Sequence, residues 1–301
     1  MPAHALSGPV FMAGWSVLLC GMACAAGEAE GQKPAPSYVG LRRSSYGLKA
    51  KNGDDKWWVE RAKEFAAQFP GSTPVILHII SGYQEDGSTI LEFAKPAGDT
   101  GPTPHMAFRA RGVDHERALK AYDEAGVKAI LQLEPGCADV TRCFQIAWEK
   151  LRAHPCVMGF AVDAEWYFTK ESSDGTGRPI EDADARKWME QVLGFNREFV
   201  LVLKHWDPKH MPKEYRPSNL WFLTDSQEFA SQGKWLRDMG RWAKAFSDST
   251  VGAQYGYEKD QDWWSKLAQP PVELGELLQK EHPHFRCLLW VDFTAEQVRF
   301  K

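Results

Sequence analysis

Two carboxylates stand two residues apart at the end of an apolar run, Asp163 and Glu165 in GFAVDAEWYF (159–168). Two acids held close in a partly dry place do not both ionise freely. One keeps its proton toward neutral pH while the other stays charged, and general acid catalysis uses that split. With 40 acidic residues in 301, one Asp-x-Glu is about what composition supplies, so its surroundings must give it meaning. Residues of the same parity as Asp163 and Glu165 are Gly159 and Ala161, both small; the other parity carries Met158, Phe160 and Val162. In a closed sheet the bulky set packs outward against helices and the small set fits the crowded interior. Both carboxylates are therefore expected to point inward at the C-terminal end of a strand, where barrel active sites are built. The competing reading is a solvated strand end, or a pair held by Lys204 or His205.

Strands and helices must position these acids, and the chain alternates them. Strand-like runs cover 38–44, 74–81, 128–136, 157–168, 199–206, 220–225, 251–257 and 287–293. Helical stripes lie between them: Trp58, Ala62, Phe65 and Phe69, then Trp235, Met239, Trp242 and Phe246. A third helix is bracketed by Asp114, an N-cap type, and Gly126, a C-cap type. Eight strands alternating with helices, apolar on both faces, predict an α/β protein: one (β/α)8 TIM barrel. A doubly wound sheet is the alternative, and residues 82–113, a long Gly/Pro-containing connection, fit the repeat least well. The strand ends bring further groups to one rim: Glu134, Lys204, His205, Trp206, Gln254, Tyr255 and Asp292. Glu134 is the candidate second carboxylate of a glycosidase pair if the substrate does not itself assist cleavage; the competing reading is a strand-end Glu before Pro135. Trp206, Trp166 and Trp290 offer flat rings to a pyranose face.

GFAVDAEWY resembles the fourth-strand signature of chitinase-like family 18 glycoside hydrolases, Asp-Gly-x-x-Asp-x-Asp-x-Glu. The resemblance implies a proton donor at Glu165 and, at Asp163, the acid that orients the substrate's acetamido group. It also covers LWFLTD, whose Asp225 falls at the end of the sixth-strand Met-x-Tyr-Asp motif. In CLLWVDF, Trp290 falls on the Trp that floors the sugar subsite. Two acids of the signature are replaced here by Ala161 and Met158, and the sixth-strand Tyr by Thr224. Tyr255 is the expected substitute hydroxyl.

The net charge of -4 gives no basic surface for nucleic acid. The first 26 residues carry no Asp, Glu, Lys or Arg, and VFMAGWSVLLCGMACAA ends on small residues, as a secretory signal peptide does. An uncleaved anchor is the alternative. Residues 27–37 read as a flexible leader and 38–301 as the barrel, exported to the periplasm or beyond, with no membrane-spanning segment in the mature chain. Cys137, Cys143, Cys156 and Cys287 permit disulfides, with Cys137–Cys143 the local pairing. No metal or other cofactor is expected, since Glu134, Asp163, Glu165 and His205 lack a His-x-His or comparable cluster. The expectation is a secreted glycoside hydrolase-like protein acting on a poly- or oligosaccharide. A non-catalytic carbohydrate-binding barrel is the second reading, to which Ala161 and Thr224 point.

Overall fold

Every apolar run of the pattern becomes a strand with two parallel neighbours. The structure is a computed structural model and describes residues 35–300 except 111, 173 and 174. The barrel strands are β1 (Tyr38–Arg43), β2 (Thr73–Ile79), β3 (Lys128–Leu133), β4 (Val157–Asp163), β5 (Val200–His205), β6 (Leu220–Thr224), β7 (Thr250–Tyr255) and β8 (Phe285–Trp290). They close in chain order, β8 pairing with β1. Helices α1 (Asp55–Ala67), α2 (His115–Ala125), α3 (Val140–Leu151), α4 (Asp182–Phe195), α5 (Gln232–Ala245), α6 (Gln261–Trp264) and α7 (Pro270–Glu281) follow the strands. This is the (β/α)8 barrel of the sequence reading. Between β5 and β6 stands only a short 3-10 turn, Pro208–His210, so the repeat lacks one helix there.

The core divides into two layers, and strand parity decides which layer each residue joins. Phe160, Val162, Leu201, Leu203, Phe222 and Trp290 pack outward with the helix stripes. Val75, Leu77, Ile130, Ala161, Val202 and Leu289 fill the barrel interior. The stripe of α5 (Trp235, Met239, Trp242) and the following Phe246 are all buried in the outer layer; such side chains contribute about 1.5–3 kcal/mol each. Asp114 caps α2 by accepting from the Arg117 N–H, and Gly126 ends it in the left-handed region at φ 70. The small inward residues of β4 have a specific cause: a Cβ on Gly159 would lie 2.1 Å from the Val200 carbonyl oxygen. Met158 departs from the parity rule. The pairing of β3 with β4 shifts register after Ala129, and Met158 packs with the interior cluster.

Residues 82–113 are not a plain connection. Ser81–Tyr83, Thr89–Leu91 and Met106–Phe108 form a three-stranded sheet inserted between β2 and α2. Ser81 anchors it at the mouth, its hydroxyl accepting from the Glu134 N–H at 2.8 Å. Cys137, Cys143, Cys156 and Cys287 are all free thiols, so the permitted disulfides are not formed among them. Cys20, Cys24 and the expected signal peptide lie outside the described residues. No helix among the described residues is long and apolar enough to cross a membrane.

Candidate active site

The barrel interior turns polar at its C-terminal end. Arg42, Gln132, Asp163, Lys204 and Gln254 continue the inward parity of their strands, and all are buried. Asp163 and Lys204 are paired in the β4–β5 register, which lays their side chains at one level. The Lys204 Nζ lies 2.7 Å from Asp163 Oδ2 and also donates to Asp225 Oδ2. Gln132 donates to the same Asp163 oxygen at 3.2 Å. On the other side of the mouth Arg42 donates to Asp292 Oδ1 and, at 2.6 Å, to the Tyr46 hydroxyl. Ser44 completes Asp292 with its N–H at 2.8 Å and its hydroxyl at 2.6 Å, tying β1 to the turn after β8.

Glu165 is not on the strand. β4 ends at Asp163, and Ala164–Trp166 form a 3-10 turn. Strict alternation therefore fails past Asp163, yet the turn still brings Glu165 to the cluster. One oxygen each of Asp163, Glu165 and Asp225 lie within 4.8 Å of one another. The cation placed among them is the Lys204 ammonium, which serves Asp163 and Asp225. The Glu165 carboxyl makes no hydrogen bond among the described residues. Burial, then the Asp225 and Asp163 carboxylates, push its pKa up to about 8, against the pull of Lys204. Burial works against the Lys204 charge, but Asp163 and Asp225 hold it well above the ordinary lysine value. Burial also raises the Asp163 carboxyl, to about 6, against the pull of Lys204, so of these two acids Glu165 is the one that keeps its proton closer to neutral pH.

Glu134 lies just past β3 and is buried at the same mouth. The Tyr46 hydroxyl donates to Oε1 and the Tyr83 N–H to Oε2 at 3.2 Å. Burial and then Asp163 raise its pKa, while Tyr46 and Arg42 oppose them. Gln254 is buried and donates to the Tyr257 hydroxyl. Trp206 stands at the rim, 39% exposed.

Three expected site residues sit elsewhere. Trp290 has outward parity, is fully buried against Phe65, Tyr255 and Trp264, and donates its indole N–H to Thr294 at 2.8 Å. No sugar reaches it. Tyr255 shares that layer, its hydroxyl donating to the Pro271 carbonyl at 3.1 Å. His205 is buried with both ring nitrogens used: Nδ1 accepts from the Asp207 N–H at 2.7 Å and Nε2 meets the Thr176 carbonyl at 2.8 Å. Burial lowers its pKa. It orders the loops after β4 and β5 rather than facing the cluster. Thr224 likewise bonds to Ser226 at 2.9 Å.

The mouth also holds residues the sequence reading passed over. Tyr257, not Tyr255, brings a hydroxyl to the mouth. It is buried near Asp225, Lys204 and Arg42, and burial followed by Asp225 raises its pKa. Gly256 between them lies at φ 88, and a Cβ there would meet the Trp290 ring at 2.2 Å; this turn breaks the alternation and sends Tyr257 to the mouth. Arg42 and Gln132 were legible by parity, following Gly40 and Ile130. Tyr46 lies in a loop and gave no such signal.

No family model matches the chain, and no curated protein matches it. Among solved structures it is similar to an FMN-binding beta-glucuronidase from Facaelibacterium prausnitzii L2-6. That match has 12% identity and a TM-score of 0.45, covering 87% of this chain and 38% of the other. It is also similar to Bacteroides uniformis beta-glucuronidase 2 covalently bound to cyclophellitol-6-carboxylate aziridine, at 11% identity and a TM-score of 0.44, covering 84% of this chain and 30% of the other. The chain thus spans well under half the length of either.

Proposed function

We propose that this chain is a glycoside hydrolase-like protein acting on a poly- or oligosaccharide, with Glu165 as general acid and Asp163 as its partner. The observation that carries this reading is the split of three clustered carboxyls. Asp163 and Asp225 share the Lys204 ammonium, and Glu165 has no cation of its own. A protonated carboxylic acid beside fixed negative charge is suited to protonating a glycosidic oxygen and to steadying an oxocarbenium-like centre. Two buried acceptors, Asp163 Oδ1 and Asp225 Oδ1, have no hydrogen-bond partner among the described residues, and sugar hydroxyls are donors that suit them. Glu134, Gln254 and Asp225 are the polar substrate contacts in this reading, and Trp206 and the 38% exposed Tyr46 its rim rings.

The chitinase-like family 18 reading rests on the residues of β4 and Asp225 alone; Thr224 and Trp290, turned away, do not add to it. Export is likewise proposed from residues 1–26 only. Ala161 and Thr224, standing where the signature has an Asp and a Tyr, favour the second reading, a carbohydrate-binding barrel without catalysis.

Incubation of the protein and its Glu165→Gln variant with a polysaccharide panel, scored for new reducing ends, tests the choice. Release by the wild type alone is expected. Equal release by both removes Glu165 as the acid. Saturable binding with no product selects the second reading.

A further inference from the structure

The turn that carries Glu165 ends on Trp166, and the Trp166 ring stacks on Tyr83, with centroids 4.8 Å apart and planes at 26°. Tyr83 belongs to the inserted sheet, and both rings are half-buried. The stack thus joins the turn that carries Glu165 to the inserted sheet, with both rings partly open to solvent. Tyr83 also lines a cavity of about 610 Å³ together with Gln84, Glu85, Asp86, Ser88 and Ile90. The turn at its edge is pinned to neighbouring loops: the Cys137 N–H donates to the Gly87 carbonyl at 2.7 Å, and Lys170 to the Asp86 carbonyl at 3.3 Å.

A general acid stands beside the oxygen that departs, and Trp166 follows Glu165 directly on its turn. We propose that the Tyr83–Trp166 stack and the adjoining cleft of the inserted sheet form the subsite for the sugar ring on the leaving-group side of the scissile bond. This rests on the glycosidase reading of Glu165. The ligand is a neutral pyranose laid on an aromatic face. Flat rings match the apolar face of a pyranose, and two rings already stacked lose little freedom when a third layer is added. Gln84 and Ser88 offer polar partners for hydroxyls. The lining contains two carboxylates, Glu85 and Asp86, and no Lys or Arg. Glu85 and Asp86 outnumber the Lys170 ammonium at the edge, and this negative balance disfavours uronic acid and sulfated rings against uncharged ones.

Calorimetric titration of the Glu165→Gln protein with cellotriose, chitotriose and mannotriose tests this without turnover. The same background carries Tyr83→Ala, Tyr83→Leu or Tyr83→Phe. At least one trisaccharide is expected to bind, with affinity about tenfold weaker for Ala and Leu, which lack a flat face, and within about twofold for Phe. The Leu variant keeps apolar bulk, and a thermal scan of each variant confirms folding. Undiminished affinity in folded Ala and Leu variants overturns the subsite while leaving Glu165 in its role. Equal loss in the Phe variant also overturns it, since the ring is kept there. Binding of none of the three sugars by Glu165→Gln overturns the subsite together with the carbohydrate reading beneath it.

Discussion

Replacing Glu165 by Gln is expected to stabilise the protein, and to do so increasingly as pH rises. In the native state Glu165 holds its proton up to about pH 8, whereas the unfolded chain releases it near the ordinary value of 4.5. Between those values the native state binds more protons, so stability falls as pH increases. Below pH 4.5 both states are protonated and the cost is absent; above pH 8 it is fully present. Each pH unit of that window is worth about 1.36 kcal/mol, giving a ceiling of about 5 kcal/mol. Glu165 is half-buried and meets water on one side, which reduces the expected difference to about 2–3 kcal/mol. Gln resembles the protonated acid and removes the penalty. Urea denaturation of both proteins at about pH 5, 6, 7, 8 and 9 measures it. The two stabilities should coincide at the acid end and separate toward the alkaline end, with the variant the more stable. A difference that stays flat across this range, or a wild type that gains on the variant with rising pH, would refute the charge balance assigned to the mouth.

Lys204→Met leaves Asp163 and Asp225 buried without their shared ammonium, and stability at neutral pH should drop by about 3–5 kcal/mol in the same assay. The loss should shrink as the pH falls below about 6, because burial holds the Asp163 carboxyl up to about 6 even beside Lys204, and without the ammonium it takes up a proton sooner. Trp290→Ala should cost about 3–5 kcal/mol through an emptied outer core and leave the affinity of the folded protein for any bound sugar unchanged. A selective loss of affinity there would restore Trp290 to the site. Alkylation with iodoacetamide followed by peptide mapping should label half-buried Cys137 in the native protein and reach Cys143, Cys156 and Cys287 only after denaturation. Burial pushes the Cys143 and Cys287 thiols up to about 12, so a native label on either would contradict their packing.

The fold was legible because strand and helix periods differ and this chain keeps both. Trp58, Ala62 and Phe65 fall on one helical face, and Phe160 and Val162 fall outward on their strand, because both must meet in the same outer layer. What periodicity does not carry is chain that makes its hydrogen bonds outside the repeat. The inserted sheet has strands of three residues, too short to show an alternation. The segment between β5 and β6 departs from the expected alternation, with a single 3-10 turn, Pro208–His210, where a helix would stand.

At the site, parity located the inward carboxylate and failed where the strands stopped. Asp163 is the last residue of β4 and obeys the rule; Glu165 reaches the cluster through a turn that the rule does not describe. The same limit explains the exchange of Tyr255 for Tyr257. Counted as one strand, residues 251–257 give both tyrosines one direction. The strand ends at Tyr255, which points outward with Trp290, and Gly256 at φ 88 then turns the chain. Only glycine serves there, because the Trp290 ring occupies the space a side chain would need. The packing of Trp290 in the outer core and the hydroxyl of Tyr257 at the mouth are thus two results of one close approach. A residue with a Cβ at position 256 would disturb both at once, displacing a buried indole and a phenol that stands beside Asp225.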